Sequence, residues 1–234
     1  MRYMKSKIII YFLLVIFLLS CKRNTISISG EIEHCTTSYM LLMQVFPDEA
    51  IAVDTVLLLN GKFFHQIKSE NIGVYLLKFS DDFFLSFIAD KGNKLIFSGD
   101  ANNLQKTYDI QGNEETRLLV ETRRKLDDVY QRAKLLSNEF VRDTYHDNFD
   151  SIKMIDSAYT VLFEQHKAYL SRFIRSHPDK LASLMAFYQT LGHNAFFSVK
   201  EDKELLKIIY SALSKKYPNS LYVNDLKEKL EEED

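Results

Sequence analysis

The sequence is poor in cysteine. It contains two, Cys21 and Cys35, and they do not form the Cys-x-x-Cys spacing of dithiol redox motifs. Cys21 lies in a segment that predicts its modification, as described below, which leaves Cys35 without a disulfide partner. We therefore expect Cys35 to be an inert, half-buried thiol, because a free cysteine packs as a small hydrophobe.

Motifs for binding phosphate and zinc are also missing. The seven glycines form neither Gly-x-Gly-x-x-Gly nor Gly-Lys-Ser/Thr, and the six histidines form no His-Glu-x-x-His. The densest group of metal-type ligands is Asp143, His146, Asp147 and Asp150. Because this segment is also the predicted bend between two helices, we expect a solvated bend there and predict no metal or cofactor.

The sequence also contains no recognisable pair of catalytic residues. His166 lies in an apolar stripe, and no serine, cysteine or carboxylate can be assigned to it as a partner. A buried neutral histidine that is hydrogen-bonded to a neighbour is therefore expected. Two carboxylates could pair as in glycosidases, but among 32 acidic residues no particular pair is favoured. We predict that the protein is not an enzyme and has no catalytic residue.

Neither charge sign is in large excess. The chain has 30 basic and 32 acidic residues, and the missing basic patch argues against nucleic acid as a partner. After the N-terminus the most apolar stretches, residues 56–59 and 83–89, are far too short to cross a bilayer. Any membrane attachment is therefore expected to come from lipid.

The N-terminus has the composition of a secretion signal. Arg2, Lys5 and Lys7 precede an unbroken apolar run over residues 8–19. As a helix this run would rise only about 18 Å, whereas the hydrocarbon core is roughly 30 Å thick. A short apolar run with a basic start is typical of a cleaved signal peptide, which we place at residues 1–20.

The end of this segment, Leu18-Leu19-Ser20-Cys21, resembles the bacterial lipoprotein signal. The resemblance implies that the chain is cut before Cys21, that the sulfur of Cys21 is acylated, for example with palmitate, and that residues 21–25 form a lipidated tether. Lys22-Arg23-Asn24 contains no acidic cluster of the kind associated with surface export of bacterial lipoproteins. We expect an outer-membrane protein that faces the periplasm.

From Ile26 the apolar residues alternate with polar ones, as in a half-buried strand. Asn60-Gly61 is typical of a type I′ turn, so residues 53–59 and 62–67 are predicted to pair as a hairpin. About eight short strands over residues 26–112 predict an antiparallel β-sandwich. The other predicted strands are residues 39–46, 74–79, 83–89, 95–97 and 106–110, with a second hairpin signal at Lys91-Gly92-Asn93 and no helix between them.

Residues 113–234 are predicted to be helical, which makes the fold class α+β. Two apolar stripes with helical spacing, over residues 119–140 and 152–173, predict a long antiparallel helical hairpin. A third helix is predicted from Pro178 to about Leu191, ending at Gly192. The capping-box pattern at Ser198 predicts a fourth helix from Val199, and a last helix should bury Leu226 and Leu230.

Several turns and strand edges resemble a known family. They are Asn60-Gly61-Lys62-Phe63, Tyr75-Leu76-Leu77-Lys78-Phe79, Asn93-Lys94-Leu95-Ile96-Phe97-Ser98-Gly99-Asp100, Tyr108-Asp109-Ile110-Gln111-Gly112 and His177-Pro178-Asp179-Lys180. The family is the β-rich N-terminal domain of unknown function in envelope lipoproteins of Bacteroidetes-type bacteria. That domain usually precedes a thioredoxin-like domain, whereas this sequence ends at Asp234, so we expect that the catalytic domain is absent.

These observations predict a non-enzymatic, lipid-anchored envelope protein that serves as an interaction or ligand-binding module. The alternative is an accessory, docking or sensing component of a periplasmic thiol-disulfide system, with a thioredoxin-like protein as partner.

A dense aromatic set comprises Phe63, Phe64, Phe83, Phe84 and Phe87. One member of each adjacent pair is expected on the outer side of a strand, where it is either covered by the helices or exposed to a partner.

Overall fold

The structure is a computed structural model that describes residues 24–80, 83–146 and 148–232. The mixed α+β class is confirmed, since those residues form ten strands and six helices. They cluster into two units. The first contains residues 24–44, 52–80, 83–85 and 89–113, and the second contains residues 45–51, 86–88, 114–146 and 148–232.

The strands are short. They are β1 (Thr25–Glu33), β2 (Tyr39–Val45), β3 (Ala50–Leu57), β4 (Lys62–Lys68), β5 (Gly73–Lys78), β6 (Phe84–Ala89), β7 (Lys94–Asp100), β8 (Asp109–Gln111), β9 (Thr190–Leu191) and β10 (Asn194–Ala195). The helices are α1 (Leu104–Thr107), α2 (Glu114–Tyr145), α3 (Phe149–Ser176), α4 (Leu181–Phe187), α5 (Lys203–Lys216) and α6 (Leu221–Glu232). Strands β1 to β8 form two four-stranded sheets, in the orders β4-β1-β7-β8 and β3-β2-β5-β6.

Strand β1 lies inside the first sheet and has the alternation that the sequence predicts. Ile26, Ile28 and Ile32 are at most 1% exposed, whereas the residues between them reach solvent. Successive side chains of a strand point to opposite faces, so one side of β1 is core and the other is outer surface.

Gly30 occupies the middle of the buried side. Its register partners are Phe63 on β4 and Phe97 on β7, and the two rings meet across it with centroids 5.8 Å apart. A Cβ atom at Gly30 would lie 2.4 Å from the Phe97 carbonyl oxygen and 3.0 Å from the Phe63 ring. The missing side chain of Gly30 therefore lets two aromatic rings fill the space above the central strand.

The expectation of purely antiparallel strands is wrong at one pair. Strand β1 pairs antiparallel with β4 but parallel with β7, where Ile28 is opposite Leu95. Alternation of apolar residues determines which face of a strand is buried and carries no information on strand direction.

The predicted hairpin across Asn60-Gly61 is also wrong, although its turn forms. Both residues have positive φ, 51° and 77°, as a type I′ turn requires. The turn is closed by the bridge between Leu59 and Lys62, but the two strands then separate. Strand β3 joins the sheet of β2, whereas β4 pairs with β1. A turn signal is local, whereas strand pairing depends on which distant partners are available.

The strand predicted at residues 106–110 begins later. A 3₁₀ turn and helix α1 precede β8, which contradicts the expectation of no helix in this region. Asp100 stabilises the turn, since its side chain accepts a hydrogen bond from the Asn102 N–H at 3.0 Å. Its own N–H donates to Thr107 Oγ1 at 2.9 Å. An aspartate cap is a common start for such a turn.

The long helices α2 and α3 pack against each other, and residues 146–148 connect them. Their predicted stripes are buried near the start of α2 and along α3, for example at Leu119, Leu162 and Phe173. Toward the connection the stripe of α2 becomes accessible, and Phe140 is 42% exposed.

The third predicted helix is shorter than expected. Helix α4 ends at Phe187, and strands β9 and β10 follow with Gly192 in the turn between them, at φ 63°. Gly192 therefore does not end a helix. The predicted helical continuation fails because Gln189 has other partners. Its carbonyl accepts from the Phe196 N–H at 3.4 Å, and its side chain contacts His166.

The fourth helix starts at Lys203 rather than Val199. The Ser198 hydroxyl does accept a hydrogen bond from the Glu201 N–H, at 3.0 Å, but the Ser198 N–H donates to the carboxylate of Asp202, also at 3.0 Å. The capping interaction therefore closes a turn before the helix. The last helix, α6, buries Leu226 and Leu230 as predicted.

We predict that Gly30→Ala lowers the free energy of unfolding by about 1 to 3 kcal/mol, since the added methyl group meets the backbone of Phe97. Urea unfolding followed by circular dichroism measures the effect. The control is Ser29→Ala on the outer side of the same strand, which should change stability by less than about 0.5 kcal/mol. Equal stability of the two variants would contradict this account of the core.

Candidate functional site

The strand pairing that brings Phe63 and Phe97 together over Gly30 also builds a row of side chains on the outer face of the first sheet. Phe64 on β4 and Ile96 on β7 are both register partners of Ser29 on β1, and Gln111 on β8 continues the line. We call these four residues the outer row. Phe64 is 67% exposed and Ile96 is 58% exposed, so two large apolar side chains of the same sheet face reach solvent.

Phe64 and Ile96 lie on either side of Ser29 in the outer row. Neighbouring strands are about 4.8 Å apart, so the backbones that carry Phe64 and Ile96 are roughly 10 Å apart. Ser29 between them has a small hydroxyl side chain and is half-buried. The outer row therefore alternates large apolar residues with smaller polar ones.

Polar residues of both charge signs surround the outer row. Lys62 is opposite Glu31 on one side, and their charged groups are 3.5 Å apart. Ser27 on the other side is flanked by Gln66 and Lys94. Because the signs are mixed, the face favours apolar contact and neutral hydrogen bonding over attraction of a strongly charged ligand.

The predicted aromatic set divides between core and surface. Phe63 and Phe87 are buried, Phe64 is exposed, and Phe83 and Phe84 are half-buried. The prediction that one residue of each adjacent pair lies on the outer side therefore holds for Phe63 and Phe64. For Phe83 and Phe84, which are both half-buried, it stays a prediction.

A second group of polar side chains was not predicted. Glu33, His34 and Asp100 place their potential ligand atoms within 4.8 Å of one another, so they could hold a metal ion. His34 Nδ1 is 2.9 Å from Asp100 Oδ1, and this hydrogen bond raises the pKa of His34. The Asn102 N–H, followed by His34, lowers the pKa of Asp100. This group could not be predicted from the sequence, because residues 33 and 100 come together only through the parallel pairing of β1 and β7.

His166 behaves as predicted. It is 4% exposed, its Nε2 lies 3.2 Å from Gln189 Oε1, and burial lowers its pKa. Rings of Phe196 and Tyr169 lie beside it. The neutral form is favoured in such surroundings, so His166 is part of the packing of the helical unit.

Asp143, the first residue of the acidic segment near the helix connection, has a structural role. Asp143 is 6% exposed and accepts hydrogen bonds from the Ser151 hydroxyl and, at 2.9 Å, from Arg142 Nε. The Ser151 bond, then the Arg142 bond, lowers the pKa of Asp143. The bend is therefore not fully solvated. His146 contacts the ring of Tyr145, and Asp147 lies outside the described residues.

The structure describes one of the two cysteines, Cys35. Cys21, the predicted lipidation site, lies outside the described residues. Cys35 is a free, half-buried thiol that donates a hydrogen bond to the Thr37 carbonyl at 3.7 Å. Half-burial of Cys35 is thus confirmed.

The His177-Pro178-Asp179-Lys180 segment takes part in a network of charges in the helical unit. Lys180 forms an ion pair with Glu114, and Lys216 on α5 lies 2.8 Å from Asp179. Lys180 lowers the pKa of Glu114, and Lys216 lowers the pKa of Asp179. The segment therefore connects the beginnings of α2 and α4 with the end of α5.

Glu115 lies at the centre of this network and was not predicted. It is 8% exposed, accepts a hydrogen bond from the Ala182 N–H at 3.1 Å and lies 3.8 Å from Lys216 Nζ. Burial raises the pKa of Glu115, although the Ala182 N–H and Lys216 act in the opposite direction. Adjacent acids at a helix start are ordinary surface residues, so only tertiary packing distinguishes Glu115 from Glu114.

Comparisons with known proteins show no family. No protein-family model matches the chain, and no curated protein matches it. Part of the chain is similar to the crystal structure of a "putative cell adhesion protein" from Bacteroides ovatus, with 10% identity and a TM-score of 0.23 over 40% of this chain and 44% of that one. The chain thus spans less than half of that protein, and so weak a likeness carries no argument.

Among the helices of the described residues, none has both the length and the apolar character that crossing a bilayer requires.

We predict that the wild-type protein loses stability relative to Glu115→Gln as the pH rises. A carboxyl with a raised folded-state pKa contributes stability below its unfolded pKa and loses it as the pH rises through the folded pKa. Glutamine has no such titration, and the other carboxylates titrate in both proteins. Urea unfolding at several values between about pH 4 and pH 8 measures the difference. A pH-independent difference would contradict the burial argument.

Proposed function

We propose that the protein is a lipid-anchored envelope protein that acts without catalysis, as an interaction or ligand-binding module held at the periplasmic side of the outer membrane. The observation that carries the binding role is the exposure of Phe64 and Ile96 on one sheet face. An exposed pair of large apolar residues with a polar rim has the composition of an interaction site. The N-terminal signal with Cys21 supports the anchor.

The titratable groups with shifted pKa values also support a role without catalysis. Glu115, Asp143, Asp179 and His166 have shifted pKa values, and each has a structural partner that accounts for its position. Perturbed groups of this kind arise from ion pairs and packing as well as from active sites. Their arrangement favours stabilisation of the helical unit.

We also propose that the two sheets of the first unit pack as a β-sandwich. Asp54 on β3 belongs to one sheet and His65 on β4 to the other, and Asp54 Oδ2 lies 3.1 Å from His65 Nε2. This contact supports close approach of the sheets. For α2 and α3 we propose an antiparallel hairpin, supported by the hydrogen bond from the Asn148 N–H to the Asp143 carbonyl at 2.9 Å.

The anchor is tested by Cys21→Ala, which we expect to leave an uncleaved or soluble protein without incorporated palmitate. A single acyl chain binds a membrane only marginally, at roughly 10⁴ M⁻¹, and the modification that this signal resembles supplies several chains. Labelling with a palmitate analogue and membrane fractionation provide the measurement. Cys35→Ala is the matched control and should be processed and retained like the wild type. Normal retention of Cys21→Ala would refute the anchor.

The binding role is tested by in-cell cross-linking of the tagged full-length protein, followed by mass spectrometry. We expect Phe64→Ser to reduce capture of the main partner about tenfold, because exposed aromatic residues often dominate binding energy. The control is Leu135→Ser on α2, which removes a side chain of similar exposure, 63%.

Both variants should keep the wild-type unfolding midpoint, since each changes an exposed side chain. Equal capture by Phe64→Ser and wild type would contradict a binding role for the outer row. Recovery of a thioredoxin-like protein as the main partner would favour the accessory role in a redox system.

A further inference from the structure

The first described residues of the chain are held between two loops of the first unit. The Asn24 carbonyl accepts a hydrogen bond from the Ser69 N–H at 3.0 Å, and the Thr25 carbonyl accepts one from the Gly92 N–H at 2.9 Å. Ser69 follows β4, whereas Gly92 lies in the turn between β6 and β7. We call this part of the first unit the entry end, and it comprises residues 24–25, 68–71 and 90–94.

The entry end lies close to the proposed lipidation site along the chain. Cys21 and Asn24 are three residues apart, so an extended chain separates their Cα atoms by at most roughly 11 Å. Strand β1 has nine residues and extends over about 30 Å. A lipid on Cys21 therefore holds the entry end, rather than the far end of β1, at the membrane surface. This step rests on the proposed lipid anchor.

Exposed lysines surround the point where the chain enters β1. Lys68 is the register partner of Thr25, and Lys94 is the register partner of Ser27. Lys91 lies in the turn between β6 and β7. All three lysines are exposed. Because a lysine carries its charge on a flexible stem, these ammonium groups are able to reach a phosphate at the surface below them.

Acidic residues at the entry end offset part of this charge. Glu70 is exposed. Asp90 is half-buried, and its carboxylate accepts a hydrogen bond from the Lys91 N–H at 2.7 Å, within the turn. Residues 22–25, 68–71 and 90–94 together contain five basic and two acidic residues. The entry end and the tether therefore have a net positive charge.

The far end of β1 has the opposite charge. Glu31 and Glu33 lie there, and Glu33 is the register partner of Asp100 on β7. Lys62 is 3.5 Å from Glu31 and balances it, so Glu33 and Asp100 leave this end acidic. The first sheet is thus polarised along β1, and its cations lie nearest the tether.

We propose that the entry end is a docking surface for anionic lipid headgroups, with Lys68, Lys91 and Lys94 contacting lipid phosphates while the lipid on Cys21 is inserted. Cations attached next to a membrane anchor are attracted to anionic lipids over about one Debye length, roughly 8 Å at physiological salt. The short tether keeps the lysines near this range. Docking at the entry end leaves the outer row, which begins about 17 Å farther along β1 at Ser29, accessible to a partner.

The test uses the lipidated full-length chain in vesicles, on a Cys35→Ser background, with an environment-sensitive dye on Asn71→Cys. Asn71 is exposed at the entry end. The vesicles contain phosphatidylcholine alone or an equal mixture with phosphatidylglycerol, and both include a headgroup spin-labelled lipid that quenches the dye at the surface. We expect stronger quenching with phosphatidylglycerol. The difference should disappear at about 1 M salt, where the Debye length is about 3 Å.

A pair of substitutions tests the lysines themselves. Lys68→Ser with Lys91→Ser should lower the ratio of docked to undocked chains about tenfold or more, since each lysine near an anionic surface contributes about fivefold. The matched control is Lys62→Ser with Lys106→Ser, two exposed lysines of the same unit near Glu31 and Asp100. The control should leave quenching unchanged, and both pairs should keep the wild-type unfolding midpoint. An equal effect of the two pairs would overturn the proposal.

Flotation of the vesicles distinguishes failure of this inference from failure of the anchor. A wild-type chain that floats with both kinds of vesicle and is quenched equally in them retains its anchor but has no docking surface for anionic lipid. A chain that floats with neither kind has no lipid anchor, and both proposals would then be wrong.

Discussion

The packing of Phe63 and Phe97 over Gly30 determines the arrangement of the first unit. Two aromatic rings can meet above the central strand because Gly30 has no side chain, and their contact requires β4 and β7 to lie on either side of β1 in one register. That register also places Phe64, Ser29 and Ile96 on the opposite face. The buried contact and the exposed outer row are thus two consequences of the same pairing.

The helical unit is organised in a different way, around buried charge. Glu115 is kept in a largely dry position by the backbone of α4 and by Lys216, while Lys216 also reaches Asp179. A buried carboxylate is tolerated only with such partners, which restricts how α2, α4 and α5 can be placed. The His177-Pro178-Asp179-Lys180 segment therefore acts through structure, because its charged residues join separate helices.

The surfaces proposed for function depend on what these interiors leave exposed. The outer row combines apolar side chains with a polar rim of mixed charge, which suits recognition of a partner or a neutral ligand. A lipid at Cys21 would hold the outer row close to a membrane, where neighbouring molecules meet at a high effective concentration.

Local features of the chain were predictable from sequence because they depend on neighbouring residues. Alternation in β1, the turn at Asn60-Gly61 and the burial of His166 follow from spacing and side-chain chemistry. Strand partners were not predictable, as the parallel pairing of β1 with β7 and the separation of β3 from β4 demonstrate. The sequence by itself determined which face of β1 and of α3 is buried. Only tertiary structure decided which elements meet, because long-range pairing is a competition among distant segments. This competition placed Phe64 and Ile96 on either side of Ser29 and His34 beside Asp100.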